Sequence, residues 1–68
     1  MNRAYKKEWC VICADTGIPI KEQCMSTLAE ALRRYDREVA EVKRLFGCKI
    51  DAEKSFIVQN IVTGEVAI

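Results

Sequence analysis

Apolar residues in 27-TLAEALRRYDREVAEVKRLF-46 recur in steps of four and three, at Leu28, Leu32, Tyr35, Val39, Val42 and Phe46, with Ala31 widening the row. That spacing lays a single stripe along a helix. Thr27 followed three residues later by Glu30 forms a capping box, and Gly47 stands where a left-handed residue closes a helix. The pattern predicts a helix over 27–46.

On either side of the helix the period changes to that of strands. Residues 7–14 and 55–62 are rich in β-branched and aromatic side chains. Asp15-Thr16-Gly17 reads as a turn leading into a return strand over 18–23, with Pro19 suited to an edge. Residues 48–52 read as a short strand, and 65–68 as a last strand beyond the turn at Thr63-Gly64. The fold predicted is α+β, a single domain over 1–68. It has a four- to five-stranded, mostly antiparallel sheet with one long helix on one face, in ββαββ order, loosely similar to the β-grasp arrangement. A faint echo runs through it: Trp9, Val11 and Thr16-Gly17 return at constant offset as Phe56, Val58 and Thr63-Gly64. Convergent hairpin chemistry is the favoured reading of so short a match, with internal duplication as the alternative.

One helix covers one face of such a sheet, so the other face is expected to be polar. The first strand departs from this rule: Trp9, Val11 and Cys13 alternate with Cys10, Ile12 and Ala14, and both sets are apolar. Phe56, Val58 and Val62 alternate in the same way with Ile57 and Ile61. These two strands are expected at the centre of the sheet. The face away from the helix would then carry Cys10, Ile12, Ile57 and Ile61. Two readings stand side by side: an exposed apolar strip that binds a partner or a second copy, or a face covered by the C-terminal segment or residues 48–54.

Composition narrows the partners. At 68 residues the chain buries only about 60% of its unfolded surface, which makes a partner or self-association an expectation. A net charge of +1 gives no strong overall field toward nucleic acid or membrane. The apolar run 9–14 is shorter than a signal peptide requires, and nothing approaches a membrane helix. The chain is expected in the cytoplasm.

The chemistry-bearing residues are few. Asp15-Thr16-Gly17 resembles the catalytic triplet of retroviral-type aspartic proteases, over three residues only, with Ala14 where those enzymes carry a larger apolar residue. Such an enzyme needs two carboxylates sharing a proton and a longer chain for each half-site, so the triplet reads as a turn. Cys10 and Cys13 are spaced like a zinc knuckle, but on a strand they face opposite sides. The helix would hold Cys24 and Cys48 far apart. Four free thiols in a reducing compartment is the favoured reading, with a small four-cysteine zinc protein as an alternative. The chain has no histidine and no Gly-rich phosphate loop. No catalytic residue, metal or cofactor is assigned, and an enzyme is not expected.

The outer face of the helix carries Arg33, Arg34, Arg37 and Arg44 with Glu30 and Glu41. Pairs four apart (Glu30 with Arg34, Arg34 with Glu38, Arg37 with Glu41) explain most of it as ordinary solvation. The functional reading is an arginine ridge that binds carboxylate or phosphate through guanidinium forks. The expected partner-binding residues are therefore Arg33, Arg34, Arg37, Glu41 and Arg44, with Ile12, Ile57 and Ile61 on the second face. A host protein or protein complex is the leading partner, and a homodimer is a further expectation. A dimeric nucleic-acid-binding regulator that adds Arg3, Lys6 and Lys7 is the alternative. The interleaved acids weigh against it.

The hairpin, helix, hairpin layout ending in TGEVAI resembles the small accessory proteins of phages and mobile elements, anti-CRISPR inhibitors prominent among them. The resemblance covers the layout and has no diagnostic motif. It implies stoichiometric blocking of a host defence nuclease.

Overall fold

The computed structural model describes residues 7–68. It is an α+β fold in which three antiparallel strands carry one helix. β1 (Trp9–Cys13) lies in the centre, flanked by β2 (Cys24–Met25) and β3 (Phe56–Asn60). The β1–β3 register pairs Trp9 with Asn60, Val11 with Val58 and Cys13 with Phe56. The two strands that are apolar on both faces are thus neighbours, but only β1 is central: β3, also expected at the centre, is an outer strand of the three.

The helix α1 spans Leu28–Phe46. Thr27 caps it, its hydroxyl accepting from the Glu30 amide at 3.2 Å, the first half of the expected capping box; the Glu30 carboxylate then takes the Thr27 hydroxyl rather than the Thr27 backbone amide. Gly47 ends it at φ 62 and ψ −133. This is not the left-handed helical conformation expected but a neighbouring region almost restricted to glycine. At 19 residues the helix is about 28 Å long, whereas a five-residue strand reaches about 17 Å. The apolar stripe therefore outruns the sheet: Ala31, Tyr35 and Val39 are buried, while Phe46 is 48% exposed.

The core has two parts, one on each face of the sheet. On the helix side Val11 and Val58 pack with Ala31, Tyr35, Val39 and Ala52, bordered by Trp9, Leu28 and Phe56. Burying each aliphatic side chain of this kind contributes about 1.5–3 kcal/mol. Tyr35 closes this layer, its hydroxyl donating to the Glu53 carbonyl at 2.8 Å. On the opposite side Cys10, Ile12 and Cys24 are buried together with half-buried Ile57.

The connections differ from the expected ββαββ plan of four to five strands. Asp15-Thr16-Gly17 does turn the chain, with the Gly17 amide donating to the Cys13 carbonyl at 2.9 Å and Gly17 at φ 67. Residues 18–20 then form no strand, because Pro19 has no N–H for a ladder. A 3-10 turn at Lys21–Gln23 follows, and the return strand is the two residues Cys24–Met25. Residues 48–52 make no strand either. Two 3-10 turns, Gly47–Lys49 and Ala52–Ser55, bring the chain back from the helix end to β3 and seat Ala52 in the helix-side core. Residues 65–68 run beside β3 as an irregular edge, with a single bridge between Gln59 and Val66. There the Asn60 amide donates to the Glu65 carbonyl and the Ala67 amide to the Val58 carbonyl, both at 2.8 Å.

Candidate protein-interaction site

The first half of α1 passes beside the edge strand β2, and between them lies a shallow groove of about 200 Å³. Met25 lines it from the strand, and Glu30, Arg33, Arg34 and Arg37 line it from the helix. Steps of three and four place these helix residues on one flank because they fall one turn apart. Three of the four predicted arginines are thus brought together.

Their charges are not equivalent. Arg34 is half-buried and pairs with Glu38 at 3.7 Å, and the Gln23 amide also donates to that carboxylate, at 3.3 Å. Glu30 is held by the cap at Thr27, at the helix end whose dipole favours an acid. Arg33 and Arg37 are exposed and carry no ion pair among the described residues. The expected pairs of Arg37 with Glu41 and of Glu30 with Arg34 are not formed. Glu41 instead bonds Arg44 one turn on, which raises the Arg44 pKa above its ordinary value through that hydrogen bond and the adjacent charge. Arg44 sits about 10 Å along the axis from Arg37 and does not line the groove. The ridge expected to be continuous is split in two, and Glu41 belongs to the second part. Arg3 and Lys6 lie outside the described residues.

The second face of the sheet corrects another expectation. Ile12 is 2% exposed and Ile57 half-buried, so Ile12 is core and not part of an open strip. The cover comes from neither of the expected segments. The long return from β1 to β2 lays Lys21–Gln23 against β1 and puts Cys24 on Cys10 and Ile12. Ile61 alone of the three is exposed, at 45%, in the turn that follows β3.

The cysteines are not all free. Cys10 and Cys24 are cross-strand partners and form a disulfide, leaving Cys13 half-buried and Cys48 exposed as thiols. A return strand over 18–23 would leave Cys24 with no partner strand; shifting the pairing to 24–25 sets the two sulfurs side by side. The even cysteine count is the signal in the sequence, and the expectation of a reducing compartment masks it. The disulfide withdraws that support for a cytoplasmic chain, since such bonds persist in oxidising surroundings. It also occupies two of the sulfurs that a four-cysteine zinc site would need. Among the described residues no three His, Cys, Asp or Glu side chains converge as metal ligands, and no helix is long and apolar enough to cross a membrane.

Met25 has no motif to mark it, since its place in the groove follows from the pairing of β2. Asn60 is also unmarked. It is 4% exposed, and its Oδ1 accepts from the backbone amides of Val62 and Thr63 while its Nδ2 donates to Glu8 at 2.9 Å, which ties the turn after β3 to the start of β1. A second hollow, of about 330 Å³, lies at the far end of the helix between Lys43, Cys48, Ile50 and Glu53. Lys43 donates to Glu53 there at 2.9 Å, which raises the lysine pKa and lowers that of the glutamate.

No protein-family model, no curated protein and no solved structure matches this chain.

Proposed function

We propose that the chain is a small non-catalytic protein-binding module whose partner docks on the arginine-lined flank of α1 beside β2. The observation that carries this reading is the state of Arg33 and Arg37. Glu30, Glu38 and Glu41 of the same helix bond to the cap, Arg34 and Arg44 in turn, and Asp36 pairs with no arginine, which leaves Arg33 and Arg37 without an ion pair among the described residues next to the apolar Met25. Unpaired arginine at the edge of an apolar contact suits a protein interface, where arginine is enriched. The groove is also smaller than the roughly 300 Å³ at which small-molecule pockets begin.

A narrower form of the proposal is that binding blocks the partner, as in the phage inhibitors whose layout the sequence resembles. Its target would be a host defence nuclease, held in a stoichiometric complex. The second reading, nucleic-acid binding through the same two arginines, is weakened by Glu30 in the groove and the nearly neutral chain.

Capture by the tagged protein from lysate, with and without nuclease and at two salt concentrations, separates the readings. A defined protein retained after nuclease treatment, in fixed ratio to the bait, supports the proposal. Capture that disappears with nuclease and falls steeply with salt favours nucleic acid instead.

A further inference from the structure

We infer that the groove between α1 and β2 takes an extended acidic segment of a partner protein, with two carboxylates spaced two residues apart on Arg33 and Arg37. A neighbouring apolar side chain of that segment rests on Met25. The inference deepens the reading of this flank as a protein-binding surface and rests on it.

Spacing, space and charge lead to it. Residues four apart on a helix stand about 5–6 Å apart at their Cβ atoms. Alternate residues of an extended chain, which share one face, are about 6.5–7 Å apart, so an acid-x-acid pattern spans the two guanidinium groups. The groove holds about 200 Å³ and is shallow, with room for side chains laid along it. Each fork matches a carboxylate bidentately. The apolar Met25 thioether on the strand side adapts to varied side chains and contributes little to a phosphate backbone. Glu30 repels a uniformly anionic strand while sparing a segment whose acids are spaced to miss it.

The probe is a fluorescein-labelled peptide carrying Asp-Leu-Glu within Gly and Ser flanks, titrated with the protein by fluorescence anisotropy. Its amide analogue, Asn-Leu-Gln, and a labelled oligo-dT serve as comparators. The expected result is saturable binding of the acidic peptide, weakened about tenfold or more in the amide analogue and in the Arg33→Glu/Arg37→Glu variant. Arg44→Glu, outside the groove, should change it by less than about twofold. Equal binding of the amide analogue, indifference to Arg33→Glu/Arg37→Glu, preference for oligo-dT, or no binding would each overturn the inference. A peptide that fails while a lysate protein is still captured through Arg33 and Arg37 removes the acidic segment and leaves the protein-binding reading standing. Failure of both removes both.

Discussion

Cys24 is bonded to Cys10 across the β1–β2 pair, and the residue that follows it, Met25, lines the arginine groove. A two-residue edge strand has little ladder of its own, so the crosslink is what fixes β2 beside the helix. The bond encloses a sequence separation of 14, for which loop-closure entropy gives about 3 kcal/mol. The Cys10→Ala/Cys24→Ala variant should lose about that much in urea unfolding. Thiol titration of the unreduced, denatured chain should find only Cys13 and Cys48, and four thiols would show that the bond is absent.

Ile12 and Ile61 lie on the same predicted strip but differ in environment. Ile12 is 2% exposed and Ile61 is 45% exposed. Ile12→Lys places a charge among Cys10, Cys24 and Ile57 and should cost more than about 4 kcal/mol, enough to unfold so small a domain. Ile61→Lys should leave the thermal transition within a few degrees of wild type. Circular dichroism melts of the two variants check the contrast.

Tyr35 is held above its ordinary pKa, first by burial and then by the nearby charges of Glu53, Asp36 and Asp51. A raised folded-state pKa means that the stability tied to the neutral phenol is present in full below the unfolded value near 10. It is lost as pH rises through the folded value. Stability should therefore fall above about pH 10, and ultraviolet titration should show one tyrosine ionising late. Tyr35→Phe should abolish the late phase and, by removing the bond to the Glu53 carbonyl, cost about 1 kcal/mol.

At Gly47 nothing lies within 4 Å of where a Cβ would stand, so packing does not oppose a side chain there. The backbone does: φ is 62 with ψ −133. Gly47→Ala should destabilise by about 1–3 kcal/mol with no change in the helix upstream, measured by chemical denaturation with far-ultraviolet circular dichroism as the readout.

The helix, its Thr27 cap, its stop at Gly47 and the strands β1 and β3 were legible because each rests on local chemistry: a 3.6-residue period, a capping threonine, a glycine, a double-sided apolar alternation. So was the division of Val11 and Val58 from Cys10, Ile12 and Ile57. The return strand was not, since residues 18–23 alternate well enough for a strand, and the pairing of 24–25 depends on a disulfide that local pattern does not reveal. That miss carried over to Ile12, whose cover comes from the same connection. In the candidate site, Arg33, Arg34 and Arg37 followed from the helical wheel. The loss of Arg44 and the entry of Met25 did not, because ion-pair choice and the position of β2 are set by tertiary packing.

The central claim is that Arg33 and Arg37 are the partner-binding groups. It is tested most directly by nuclease-treated capture with wild type, Arg33→Glu/Arg37→Glu and Arg44→Glu side by side, after melts show all three folded. The account predicts one protein partner retained by wild type and Arg44→Glu and lost from the double variant. Undiminished capture by Arg33→Glu/Arg37→Glu would contradict it and move the interface elsewhere on the molecule.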